Sequence, residues 1–332
     1  MKAILEQLFN NEALTTQQAK EVLFGITNNQ FNDAQITAFM TVYLMRPISV
    51  EELLGFREAI MQQAQKINFN SLTEKSIDLC GTGGDGKNTF NISTTASFIV
   101  AGAGYKVVKH GNYGVSSTCG SSNVLEALGY NFTNNESVLM QQLEKTNICF
   151  LHAPLFHPAL KSVAHIRKSL GVKTFFNLLG PLVNPSSPSH QFSGVFSLKM
   201  LRPYEEVFRK TKTNFSVVHS IDGYDEISLT GNFKIHSNNN EKLYQLDTLG
   251  IKKLNQEDIY GGNTIEENLS ILQKILSGKG TESQNKVVTT NAAFAIKTIE
   301  QNLSLEECIE KAELSLMKGH ALQQLTKLLT LN

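Results

Sequence analysis

Gly81-Thr82-Gly83-Gly84-Asp85-Gly86-Lys87-Asn88-Thr89-Phe90-Asn91-Ile92-Ser93-Thr94-Thr95 is the stretch from which the fold is read. Ahead of it stands Ser76-Ile77-Asp78-Leu79-Cys80, with the composition of a short buried strand; behind it, from Thr94 to Ala101, runs an apolar helix. A strand, then glycines at 81, 83, 84 and 86, then hydroxyls at a helix start form a phosphate-binding arrangement. Glycine admits positive φ and lets an anion reach backbone N–H groups. The helix start adds unpaired donors and a favourable dipole. The run lacks the Gly-Lys-Ser/Thr ending of a Walker A loop and is not a clean dinucleotide fingerprint. A turn that only reverses the chain would have no use for Asp85 or for the exit Asn91, Ser93, Thr94 and Thr95.

A second segment, Val107-Val108-Lys109-His110-Gly111-Asn112-Tyr113-Gly114-Val115-Ser116-Ser117, follows the helix and its Gly102-Ala103-Gly104 stop. Val107-Val108 reads as a strand remnant and the rest as a polar, glycine-punctuated loop. Lys109 offers phosphate a point charge, and Ser116, Ser117 and Ser121 offer hydroxyls near the next helix, Ser122 to Leu128. His110 reads equally well as a structural histidine or as a ligand. Two successive strand-to-helix loops should lie side by side at the carboxyl ends of neighbouring parallel strands, where open α/β sheets bind ligands. A third constellation is Asp225-Glu226, after Gly223. In a loop, both carboxylates can turn toward one cavity, and hard oxygen ligands beside a diphosphate site suit Mg2+. A solvated acidic loop is the plain alternative.

The 332 residues suffice for one large domain or two modest ones. Lys+Arg 30 against Asp+Glu 30 leaves no net charge, which argues against nucleic acid or an anionic membrane as main partner. The amino-terminal run has no apolar core of signal-peptide length, and no stretch approaches the roughly 18 apolar residues of a membrane span. Cys80, Cys119, Cys149 and Cys308 form no CxxC pair. Cys80 and Cys149 read as core thiols and Cys119 as exposed; the expectation is a reduced, cytoplasmic protein without disulfides or structural zinc.

The first seventy residues carry helical patterns with three capping-box spacings, Thr15/Gln18, Asn32/Gln35 and Ser49/Glu52. From about Lys75, short apolar runs alternate with amphipathic helices. Strand candidates are Ile77–Leu79, Val107–Val108, Ile148–Phe150, Phe192–Phe196, Phe215–His219 and the Ser228–Leu229 region. The expected fold is α/β: a small helical domain over 1–72 and a larger α/β domain over 73–332 with a mostly parallel central sheet. Residues 237–241 read as a polar hairpin tip, and Thr289–Thr298 and Leu305–Leu329 as packing helices.

Gly81-Thr82-Gly83-Gly84-Asp85, Asn91-Ile92-Ser93-Thr94, Lys109-His110-Gly111-Asn112, His157-Pro158-Ala159, Arg167, the run Phe176 to Leu182, Asn184-Pro185 and Asp222-Gly223-Tyr224-Asp225-Glu226 together resemble the anthranilate phosphoribosyltransferases. The resemblance spans most of the chain in the family's order. It implies transfer of the phosphoribosyl group from 5-phosphoribosyl 1-diphosphate to the amine of anthranilate, in a cleft between the domains. It further implies donor contacts from Gly81, Gly84, Asp85, Thr89, Asn91, Ile92, Ser93, Thr94, Lys109, His110, Gly111, Asn112, Ser116, Ser117 and Ser121. Gly81, Asn112 and Arg167 would hold anthranilate, and Ser93, Asp225 and Glu226 would hold Mg2+. No acid or base is expected, because the arylamine is neutral at pH 7. The resemblance also implies that part of 160–185 packs back on the helical domain and that the chain forms a homodimer through it. Tyr113 departs from the family, which usually places Arg there; so does Ser220-Ile221, where a Gly is frequent. Two rival readings are a pyrimidine-nucleoside phosphorylase and a non-catalytic nucleic-acid-binding relative of the same architecture.

Overall fold

The computed structural model describes residues 1–114 and 119–331. The amino-terminal part forms α1 (Lys2–Phe9), α2 (Thr16–Thr27), α3 (Asp33–Met45) and α4 (Val50–Gln63). All three capping boxes read from the sequence are made: Thr15, Asn32 and Ser49 each accept the N3 amide, and Gln18, Gln35 and Glu52 reach back to the cap backbone. Glu52 is fully buried and also accepts hydrogen bonds from the Leu14 backbone N–H, the Tyr43 hydroxyl and the Arg46 guanidinium. Burial alone would raise its carboxyl, but Arg46 and the two backbone amides outweigh that and hold it below the ordinary range.

Beyond Ser76 the chain alternates: β1 (Ser76–Leu79), α5 (Ile92–Gly102), β2 (Lys106–Gly111), α6 (Ser121–Ala127), α7 (Glu136–Thr146), β3 (Ile148–His152), α8 (Ala153–Phe156), α9 (Lys161–Leu170), β4 (His190–Gly194), α10 (Leu201–Lys210) and β5 (Asn214–Ser220). A hairpin, β6 (Phe233–Ser237) and β7 (Glu241–Tyr244), precedes α11 (Ile265–Leu276), α12 (Glu282–Ile299), α13 (Leu305–Met317) and α14 (His320–Thr330). The strands form one sheet in the order β3-β2-β1-β4-β5-β6-β7. The first five are parallel; β6 and β7 add on antiparallel. From β1 the strand order runs one way to β2 and β3 and the other way through β4 and β5. The switch point therefore lies between β1 and β4, and a crevice opens outside their carboxyl ends.

Four details differ from the sequence reading. Ser228 and Leu229 are not a strand: Leu229 has φ +58, which ends any extended run, and Thr230 turns its hydroxyl to Asp222. The sixth strand begins at Phe233, and the polar 237–241 segment is the hairpin tip as expected. The final helix is two, broken where Gly319 takes φ +73. The strand expected at 192–196 is His190–Gly194, and Cys119 is buried, not exposed. All four cysteines are free thiols.

The cores show how the modules meet. One lies between the sheet and α5, α12, α13 and α14, around Phe98, Ile99, Val288 and Ala292. A second gathers Leu23, Phe39 and Phe56 of the helical module with Val163 and Ile166 of α9, then Phe175, Phe176, Tyr204 and Phe215. Phe175 stacks on Phe56 with ring centroids 4.6 Å apart, and α9 packs on α2 and α3. The chain thus returns to the helical module between β3 and β4.

Candidate active site

A cleft of about 290 Å3 opens at the carboxyl ends of β1 and β2, walled on the far side by the returning segment with Arg167, Phe176 and Gly180. The loop after β1 forms its floor. Gly83, Gly84 and Gly86 all have positive φ, between 63° and 78°. The Thr82 N–H donates to Gly194 O at 2.9 Å and the Gly83 N–H to Asp225 Oδ2 at 2.6 Å. The N–H groups of Gly84, Asp85 and Gly86 donate to no described residue. Such a row of adjacent unused donors is an anion-binding concavity. Helix α5 points its start at the same space, with no side-chain cap at Asn91. Asn91 Oδ1 and Thr94 Oγ1 are buried there without a described partner. Buried polar atoms left so are expected where a ligand completes them.

Asp225 and Glu226 stand over this floor from opposite sides of one turn. Asp225 is fastened to the Gly83 amide, while Glu226 Oε1 accepts the Ser93 N–H at 3.0 Å. Asp85 faces Asp225 from the loop: its Oδ1 closes an Asx turn with the Lys87 N–H, and its Oδ2 lies 3.5 Å from the Asp225 amide. Burial first, then repulsion from Asp85, raises the Asp225 carboxyl to about 7; burial and Asp225 raise Glu226 well above its ordinary value. Clustered oxyanions held out of water call for a cation. Mg2+ fits such a pair, because it takes one or two protein carboxylates and completes its shell with water and substrate phosphate. Gly194 makes the approach possible, because a Cβ there would sit 1.3 Å from the Asp225 carbonyl oxygen.

On the β2 side, Lys109 is only 2% exposed; its Nζ donates to the Leu79 carbonyl and lies 3.4 Å from Ser93 Oγ. Beneath it Asp78, fully buried, accepts the His110 amide and the Asn184 side-chain amide. His110 Nδ1 lies 3.0 Å from Gly180 O, and His157 Nε2 lies 2.9 Å from Val183 O. A carbonyl can only accept, so those nitrogens carry the protons. Burial pushes both rings down, His110 to about 3 and His157 to about 4, leaving His110 Nε2 and His157 Nδ1 as unpartnered acceptors. Arg167, in the last turn of α9, lies over the Phe176 ring at 5.2 Å and lines the cleft without a salt bridge to any described carboxylate. Burial lowers its guanidinium below the ordinary value.

The structure brings Gly81, Gly84, Asp85, Thr89, Asn91, Ser93, Thr94, Lys109, His110, Gly111, Asn112, Ser121, Arg167, Asp225 and Glu226 to this one cleft. Ile92 instead is buried in the hydrophobic core and does not line the cleft, because the first turn of α5 turns its side chain inward. Ser116 and Ser117 lie outside the described residues. Tyr113 is held at the rim, its hydroxyl donating to Glu126 at 2.5 Å and its ring edge against His152 at 4.8 Å. Three contributors escaped the sequence reading of the site. Lys173 lies beyond the end of α9 and donates to the Gly84 carbonyl; His157 supplies the second acceptor ring; and Gly194 admits Asp225. The Lys-rich context of 173 and the His-Pro motif were visible in the sequence, but neither showed which way its side chain turns.

Comparisons agree with this arrangement. Residues 73–322 match the family model described as glycosyl transferase family, a/b domain, and residues 2–64 match the helical bundle domain of that family. An anthranilate phosphoribosyltransferase of Flavobacterium psychrophilum is 53% identical over 99% of this chain and 98% of its own length. One from Phocaeicola vulgatus is 52% identical over the full length of both. Among solved structures, the anthranilate phosphoribosyltransferase of Thermus thermophilus superposes with a TM-score of 0.91 at 29% identity, covering 98% of each chain. The Saccharomyces cerevisiae enzyme in complex with PRPP and Mg gives 0.89 at 25% identity, covering 98% of this chain and 96% of that one.

Proposed function

The chain belongs to the glycosyl transferase family of helical bundle and a/b domain and, within it, to the anthranilate phosphoribosyltransferases, and from that membership we propose how its cleft works. It transfers the 5-phosphoribosyl group from 5-phosphoribosyl 1-diphosphate to the amine of anthranilate, releasing diphosphate, a step of tryptophan biosynthesis. The observation that carries the reading is a cleft with two chemically opposite ends. A donor-lined loop beside buried carboxylates faces a desolvated, unpaired Arg167.

The loop N–H groups of Gly84 to Gly86, the start of α5 and Lys109 would take the diphosphate and phosphate oxygens, with Gly81, Thr89, Asn91, Thr94, Gly111 and Ser121 completing the wall. These fixed donors meet the charge that grows on the departing diphosphate as the ribose C1–O bond breaks. Asp225, Glu226 and the Ser93 hydroxyl would hold Mg2+, which neutralises diphosphate charge when bound. Arg167 would hold the anthranilate carboxylate through its planar donor fork, with Asn112 alongside. The acceptor nitrogens of His110 and His157 then suit the N–H groups of the arylamine, orienting its lone pair at C1 without removing a proton. Phosphorolysis of a nucleoside has no use for the Asp225–Glu226 pair, and the chain's lack of net charge does not suit nucleic acid.

Three further assignments belong to this reading. Residues 1–72 with part of 160–185 form the helical domain and 73–332 the α/β domain, supported by the second core. A homodimer through the helical domain is supported by Phe9, Leu44 and Met45, 65%, 45% and 85% exposed on α1 and the end of α3. Four free thiols suit a reducing cytoplasm. The test of function is loss of anthranilate fluorescence with the purified protein. Loss should require 5-phosphoribosyl 1-diphosphate and Mg2+ and stop with chelator; no loss with folded protein removes the reading.

A further inference from the structure

Of the chain's five arginines, Arg46, Arg202 and Arg209 pair with glutamates. The other two, Arg167 and Arg57, make no salt bridge with a described residue, and each lines a cavity. Arg167 faces the substrate cleft. Arg57, on α4, is half-buried; desolvation lowers its guanidinium below the ordinary value, and the neighbouring Glu58 carboxylate offsets only part of that. It makes no hydrogen bond to any described residue, although a guanidinium carries five donors. A partly desolvated cation with its donor fork unused is a ready partner for an anion.

The cavity measures about 140 Å3 and no described carboxylate lines it. Lys212 brings a second positive charge, and Ser187, Ser189 and Thr213 bring hydroxyls. The Ser187 hydroxyl makes no hydrogen bond to a described residue, whereas the Ser189 hydroxyl donates to backbone carbonyls. Ser187 and Lys212 have φ of +48 and +56. Among the described non-glycine residues, the left-handed region otherwise holds three asparagines, which tolerate it, and Leu229. At Lys212 the turn that ends α10, with Thr213 N–H bonded to Phe208 O, is one that glycine would make without strain. Two strained non-asparagine residues therefore border one cationic hollow, and strain of that kind gathers at ligand clamps.

We infer that this hollow is a second anion site, separate from the substrate cleft, which takes a small tetrahedral oxyanion of the phosphate class between Arg57 and Lys212. Its place in the fold distinguishes it. Ser189 precedes β4 and Thr213 precedes β5, so it sits at the amino ends of these strands, opposite the catalytic loops. An anion there bridges α4 of the helical domain to the α/β domain. Its wall residues Pro181, Leu182 and Asn184 belong to the segment whose Gly180 and Val183 carbonyls orient His110 and His157 and whose Asn184 bonds Asp78. Occupancy would stiffen the back of the active site without touching substrate. The assignment stands on the cavity alone and does not depend on which reaction the cleft performs.

Crystals of the full chain soaked in selenate, a phosphate-shaped anomalous scatterer, test it directly. The expected result is a peak between Arg57 and Lys212 that is lost in Arg57→Gln. Lys212→Gln, at an exposed position where folding is not at issue, should weaken occupancy about tenfold. Soaks in inorganic phosphate and in ribose 5-phosphate separate the free ion from a phosphate ester: displacement of selenate by phosphate supports the free ion, and displacement by the ester alone overturns it. Selenate found only beside Gly81 to Lys87 overturns the site. So does a peak at Arg57 that survives both substitutions or that needs more than about 100 mM selenate, an affinity too weak to matter.

Discussion

Asp225 and Glu226 are neighbours in sequence with separate tethers, one to the Gly83 amide and one to the Ser93 amide. Replacing them by Asn and Gln keeps the shape and removes the charge. Asp225→Asn with Glu226→Gln should therefore cost at least about a hundredfold in kcat/KM, about 2.7 kcal/mol of transition-state stabilisation. Unchanged activity at saturating Mg2+ would remove both from metal binding. Arg167 sits apart from the phosphate floor, so Arg167→Ala should raise KM for anthranilate about tenfold or more while leaving that for the phosphoribosyl donor near its original value; the reverse pattern in steady-state kinetics would exchange the ligands' places. Residue identities at these points were legible because their motifs demand particular chemistry: donors for phosphate, hard oxygen for Mg2+, a planar fork for a carboxylate. The acceptor role of His157 was not legible. It depends on which ring nitrogen the Val183 carbonyl claims, a contact across 26 positions of chain.

At the scale of elements, the capping boxes were read correctly because they depend on residues three apart. The buried role of Glu52 was hidden for the opposite reason, since its partner Leu14 lies 38 residues away. This difference is measurable. Ser49→Ala removes one cap and should cost about 1 kcal/mol in urea unfolding. Glu52→Ala leaves the Arg46 guanidinium without its carboxylate and should cost about 3 to 5 kcal/mol. Equal costs would reduce Glu52 to a capping residue. The misplaced strand at Ser228–Leu229 has a similar origin: its buried apolar pattern fits a strand, and only the backbone at Leu229 shows a turn. Helix breaks were easier to miss than helix starts, as at Gly319, because a single glycine is weak punctuation inside an amphipathic run.

For the whole molecule, buried titratable groups set how stability follows pH. His110 and His157, pushed down to about 3 and about 4, are neutral in the folded chain. Unfolded, they bind protons near pH 6.5. Between about pH 6.5 and 4 the unfolded state thus takes up more protons at these rings, and their contribution to stability falls as pH falls. Asp78, raised to about 6, acts in the opposite sense, so the difference between variants is the proper measure. His157→Gln should lose less stability than the unaltered chain between about pH 7 and 5 in urea midpoints; parallel losses would mean that His157 is protonated when folded. Alternation of strand and helix made the parallel sheet legible, whereas the return of α9 to the helical module rested on resemblance alone. The tether from Gly83 to Asp225 spans 142 positions, and Ile227 beside it is fixed by Asn291. A ribosome adding about 5 to 20 residues per second makes the phosphate loop many seconds before its carboxylates and the α12 asparagine that fixes their turn. The nascent chain can shape its helical module early, but no amino-terminal fragment released before α12 carries a working centre.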